Sequence, residues 1–183
     1  MRIGKRSPLL LGAIMAIALA LPAVASASEW TSEGEPILEE QPIELDGTYS
    51  YSVNGIGSFV CTIHGEATLV PGDEGEISNL AASNPCKGSF FGCEVELLFE
   101  TPWPLEARAE DVLVNDLGER WRLCPPSYPG EVTVEGDIEL TPDNPAAISS
   151  FGLYGFMEDT KTHLPLVVTG ELEVSPAGVY GFE

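Results

Sequence analysis

The chain has 183 residues, of which 29 are acidic and eight basic, giving a formal charge of −21. Such an excess excludes nucleic acid and anionic membrane surfaces as partners, because both are held by clustered Lys and Arg. What it leaves is a strongly solvated acidic surface, or attraction to cations and basic proteins.

Residues 1–27 read as a signal peptide. Arg2, Lys5 and Arg6 form a basic start, and Leu9 to Leu21 is an apolar run too short to span a bilayer as a helix. Ala25-Ser26-Ala27 is a small-x-small site, which places cleavage after Ala27, with Ala25 as the alternative. No cysteine follows directly, so no lipid anchor is indicated, and no second long apolar stretch would retain the product in a membrane. The segment removes three basic residues and no acidic ones, leaving five cations against 29 carboxylates. A chain of this length forms one domain that buries roughly 70% of its unfolded surface.

Residues 28–42 form an acidic arm in which Trp30 is the anchor expected to dock on the body; a single β domain follows over 43–183. Leu45 to Val53 alternates as a strand, with Tyr49, Tyr51 and Val53 on one face. After the Asn54-Gly55 turn, Ser58 to Val70 places Phe59, Cys61, Ile63 and Ala67 on one face and Thr62, His64, Glu66 and Thr68 on the other. Pro71 to Gly75 is a turn, Glu76 to Ala81 a short strand, and Ala82 to Gly92 a loop holding Cys86. Cys93 to Thr101 alternates at first, and Pro102-Trp103-Pro104 then breaks the ladder, since proline has no donor. Leu105 to Val114 and Gly118 to Leu123 read as a hairpin turning at 115–118, and Cys124 to Gly130 as a proline-stiffened loop. Glu131 to Thr141 has the clearest alternation, with Val132, Val134, Ile138 and Leu140 against carboxylates and Thr133. Ala147 to Met157, Leu164 to Val174 and Gly178 to Phe182 complete the set. Glycine or proline interrupts nearly every window of helix length. The expectation is therefore an all-β fold, an antiparallel sandwich or a small closed barrel of about nine or ten strands.

Several stretches carry a resemblance. They are Cys61-Thr62-Ile63-His64, Asn84-Pro85-Cys86-Lys87-Gly88, Gly92-Cys93-Glu94-Val95, Pro102-Trp103, Leu140 to Ser149 and Ser175 to Gly181. In this order they resemble a set of uncharacterised secreted four-cysteine β-rich proteins of high-GC actinobacteria. The resemblance implies secretion and a β-rich domain, and carries over no catalytic residue.

Cys61, Cys86, Cys93 and Cys124 are an even number in an exported chain, which points to two disulfides. Of the three pairings, Cys61–Cys86 with Cys93–Cys124 joins each segment to a near neighbour in sequence. A four-thiolate zinc site competes poorly, because no two cysteines are spaced as a knuckle. His64 and His163 are isolated and read as solvated. No G-x-S-x-G elbow, P-loop or dinucleotide fingerprint occurs. Asp73-Glu74-Gly75-Glu76 and Asp143-Asn144 are loop oxygens of the kind calcium takes, without the EF-hand pattern, so calcium is the one cofactor considered. Trp121 alternates with Arg120 and Arg122 and reads as core. Trp103 and Tyr128, in proline-rich loops, are the candidate contact residues.

These observations lead to an expected non-enzymatic module, extracellular or in the cell envelope, that binds a glycan, an envelope component or a basic protein, or serves a structural role. The alternatives are a polysaccharide hydrolase working through an unidentified carboxylate pair, and a protease inhibitor presenting the loop around Pro125 and Tyr128.

Overall fold

The computed structural model describes residues 28–53, 55–124 and 130–183. Residues 1–27, read above as a signal peptide, Asn54, and residues 125–129 with Tyr128 lie outside them. The described residues are all-β. In chain order the strands are β1 (Trp30–Ser32), β2 (Glu35–Pro36), β3 (Gln41–Val53), β4 (Gly57–Leu69), β5 (Glu74–Ala82), β6 (Cys86–Phe90) and β7 (Cys93–Phe99). They continue as β8 (Trp103–Ala107), β9 (Val112–Leu123), β10 (Gly130–Pro142), β11 (Ser150–Asp159), β12 (Pro165–Ser175) and β13 (Tyr180–Phe182). No helix among the described residues is long and apolar enough to cross a membrane.

Ten strands form one antiparallel sheet that closes on itself as an irregular ring. β3 pairs with β4, β12 with β3, β11 with β12, β10 with β11, and β9 with β10. The path from β4 back to β9 is divided. β4 gives β3 the whole of one edge and shares the other between β6, along 57–60, and β5, along 63–69. β9 gives one edge to β10 and shares the other between β8, along 112–114, and β7, along 119–123. A β5–β8 pair and a β6–β7 pair bridge the gap side by side. The ring is thus eight positions around, with two of them filled by split strands.

The split leaves β7 short of a neighbour at Leu97, and a side chain supplies one. The Asn84 amide accepts from the Leu97 N–H at 2.8 Å and donates to the Leu97 carbonyl at 3.0 Å. Both disulfides brace the same half of the ring. Cys61–Cys86 ties β4 to the start of β6, and Cys93–Cys124 ties the start of β7 to the end of β9. This is the favoured pairing, and it consumes all four thiolates that a zinc site would need.

Alternation fills the interior. Tyr49, Tyr51, Phe59, Phe90 and Trp121 form a contiguous buried aromatic cluster, with ring centroids 4.7 Å apart for Tyr51–Trp121 and 4.9 Å for Phe59–Trp121. Trp30 docks as expected: its ring meets Phe182 edge-on at 5.6 Å, and β1 pairs with β13 and β2 in a separate three-stranded sheet.

Three expectations on the chain path are corrected. Residues 86–90 are a strand, not loop. A register irregularity between Cys86 and Phe90 leaves those two buried with three exposed residues between, so no period of two was visible. Pro102-Trp103-Pro104 does not end the ladder. β8 begins at Trp103, and β9 joins it only from Leu105, so Pro104 sits where one edge is free and a missing N–H costs no ladder bond. Residues 115–118 are not a turn but a bulge inside β9. Asp116 takes the left-handed conformation that turn residues tolerate, and the actual hairpin closes where the Arg108 N–H donates to the Asp111 carbonyl.

The β6–β7 hairpin turns through Phe91 and Gly92, both at positive φ (52° and 74°), and Phe91 is 64% exposed. A two-residue turn of this hand favours Asn-Gly, and a left-handed Phe is strained. Phe91→Asn is therefore expected to stabilise the oxidised protein by about 1 kcal/mol, read from equilibrium urea unfolding.

Candidate functional site

The sequence Gly118-Glu119-Arg120-Trp121-Arg122-Leu123 alternates, and on β9 beyond its bulge the odd positions turn inward. Trp121 is core, as its spacing indicated. The same parity carries Glu119 inside, where it is fully buried. In the sequence this carboxyl is one among many, and its parity with Trp121 is the signal that places it inside. The Tyr51 hydroxyl donates to Glu119 Oε2, and the Trp121 indole N–H donates to the same oxygen at 3.2 Å. Glu119 Oε1 and the Tyr49 hydroxyl are buried without a partner. Burial pushes the Glu119 carboxyl up to about 7, against the opposing pull of its two donors. Burial, then the nearby Glu119 charge, holds both phenols well above their usual range. Glu119 has the pKa of a working general acid but no access to solvent, so no substrate reaches it as the ring stands.

The second feature is on the outside. On β10, Glu135, Asp137 and Glu139 alternate outward. On β11 the outward residues are Tyr154, Phe156 and Glu158, which the register sets directly opposite Glu139, Asp137 and Glu135. Tyr154 and Phe156 are 47% and 60% exposed and meet edge-to-face at 5.3 Å. Gly155, between them, makes the close approach: a Cβ there would lie 2.4 Å from Ile138 Cγ2 and 2.7 Å from the Asp137 carbonyl oxygen. These residues border a groove of about 670 Å³, also lined by Arg108, Leu113 and Pro165. It runs on past Glu135 and Asp137 to Asp116, Glu100 and His163. Among the described residues Glu100 is paired with Arg120, and Glu158 with His163. Asp116, Glu135, Asp137 and Glu139 have no ion-pair partner there. The aromatic pair was hidden in the sequence because residues 151–157 are apolar on both faces.

The candidates singled out earlier fall elsewhere. Trp103 is in β8, 1% exposed, with its indole N–H donating to the Glu100 carbonyl at 3.0 Å, so it is a core anchor and not an exposed contact. Its flanking prolines suggested a loop, but pairing with Ile77 draws it into the sheet. Tyr128 lies outside the described residues. His64 is exposed and 2.7 Å from Asp46, whose hydrogen bond and charge raise its pKa. Glu74 and Glu76 are on the exposed face of β5. Asp143 is committed to its turn, accepting from the Ser149 and Ser150 N–H groups at 2.9 and 3.1 Å, which holds its carboxyl below the usual range. Among the described residues no three His, Cys, Asp or Glu side chains are grouped to hold a metal.

The two buried phenols should respond unequally to loss of their hydroxyls. Tyr51→Phe strips a donor from a buried carboxyl and is expected to cost about 1–3 kcal/mol in urea unfolding. Tyr49→Phe removes a hydroxyl that makes no hydrogen bond to Glu119 and is expected to cost less than Tyr51→Phe in the same measurement.

No protein-family model, curated protein or solved structure matches this chain.

Proposed function

We propose that the protein is an extracellular or cell-envelope binding module, and that the outer face of β10 and β11 takes an extended protein segment bearing lysine or arginine. The observation that carries this reading is the pairing of two rows on adjacent strands: exposed aromatics, Tyr154 and Phe156, beside carboxylates with no ion-pair partner, Asp137 and Glu139. An exposed aromatic pair offers ring faces that attract ammonium and guanidinium groups by about 0.5–2 kcal/mol each. Alternate residues of a strand stand roughly 6.6–7 Å apart, so Glu135, Asp137 and Glu139 suit a basic residue at every second position of an extended ligand. The two disulfides support an oxidising compartment, as does the signal-like leader. A hydrolase is less well supported, because the one carboxyl raised to neutral pH is sealed inside.

Titration calorimetry with three octapeptides tests the proposal. An alternating Lys-Thr peptide is expected to bind more tightly than a block peptide of four Lys and four Thr, and a Glu-Thr peptide not at all. Alanine at both Tyr154 and Phe156 should weaken the Lys-Thr peptide at least tenfold. Equal affinity of the two basic peptides, unchanged by that double substitution, would reduce the effect to net charge and sink the site.

A further inference from the structure

We propose that Glu119 is a proton-operated latch in the ring: its carboxyl is held as the neutral acid while the ring is closed, and losing that proton loosens the seam where β9 changes partner. The inference is independent of the peptide site.

The position is the first argument. β9 leaves β8 after Val114, bulges at Asn115 and Asp116, and takes β7 from Glu119 onward. Glu119 is therefore the first residue beyond the stretch where β9 is between partners, paired with Phe99 on one side and Val134 on the other. The second argument is the count of partners. Both available donors, the Tyr51 hydroxyl and the Trp121 N–H, go to Oε2. Oε1 has none and is fully buried. An ionised carboxylate would leave a charged oxygen bare in a dry interior, whereas a protonated Oε1 carries the neutral O–H instead.

Among the described residues no group facing Glu119 compensates a charge. β3 contributes Tyr49 and Tyr51, both phenols whose ionisation lies far above neutral pH. β4 contributes Phe59 to the same cluster through its contacts with Tyr51 and Trp121. β7 and β10 bring Phe99 and Val134. The neighbouring cation, Arg120, is turned outward and bonded to Glu100 at 2.5 Å and to Glu131 at 3.5 Å. Burial raising the carboxyl to about 7 agrees with this geometry. In the unfolded chain a glutamate titrates near its ordinary value of about 4.3. Between these two values the folded chain holds one more proton than the unfolded one. The stabilising contribution is thus fully present below about pH 4.3 and is lost as pH rises through 7. The seam also borders the outer groove, whose wall includes Asp116, Leu117 and Gly118, so loosening would be felt at the surface there.

The test uses the secreted, oxidised protein. Difference infrared spectroscopy of the wild type is expected to show the carbonyl band of a buried protonated acid at pH 6, lost by pH 8.5 and absent from Glu119→Gln. Relative to that variant, the wild-type unfolding constant should grow by up to tenfold per pH unit between pH 5 and 7 and then level off. Hydrogen exchange, corrected for its intrinsic pH dependence, should rise at residues 112–123 between pH 6 and 8.5 in the wild type only. Should Glu119→Gln fail to fold, Tyr51→Phe replaces it: loss of a donor to the ionised form moves the disappearance of the band to higher pH. Absence of the band from the wild type at pH 6 overturns the latch. So do parallel stability profiles, or a band midpoint that Tyr51→Phe leaves unmoved.

Discussion

A backbone amide sealed from water has to find a partner, and in this fold that requirement falls hardest on β4 and β9. Each divides one edge between two shorter neighbours. Everything between them is arranged to meet that need: two short paired bridges, register breaks in the β4–β5, β6–β7 and β9–β10 pairings, one asparagine that stands in for a strand, and two disulfides. A regular barrel of eight uninterrupted strands would need none of these. Dividing two positions lets each half of the ring carry its own register, at the cost of a seam across the wall.

Strand parity sets the contrast between the two sides of the sheet. Outside, carboxylates are in water, where mutual repulsion is screened and their number keeps the molecule soluble. Inside, a single carboxyl on β9 shares a cluster of aromatic rings with two phenols and an indole. The same residue type is inexpensive in the first setting and costly in the second, and only strand parity separates them. Buried acids of this kind rarely persist for stability alone, since an apolar residue of similar volume would commonly serve as well or better.

How much of this could be read in advance depended on whether the pattern had a period. Where one face is wet and the other dry, as in β3, β4 and β10, alternation was legible and the strands and their inward residues were placed well. Cysteine number and sequence proximity gave the disulfides. The failures cluster at the divided positions. Cys86 to Phe90 has no period because its register breaks. Asn115 to Gly118 carries turn residues because a bulge needs the same left-handed conformation that a turn does. Pro104 looked disruptive because an edge left free by a short partner is not visible in a linear string. Glu119 was legible by parity but is one acid among 29. Tyr154 and Phe156 were not separable from their apolar neighbours without knowing which face is inward.

Ring closure also bears on how copies of this chain meet one another. An open sheet exposes a row of unused N–H and C=O groups that can template pairing with a second molecule, and strands rich in valine, isoleucine and tyrosine are prone to it. Here β9–β10 closes the ring, the divided bridges leave only short lengths of edge, and the β1–β2–β13 sheet offers only two or three residues along any side. The described residues therefore present other copies with an acidic surface and, around the closed ring, short stretches of free edge instead of a long one.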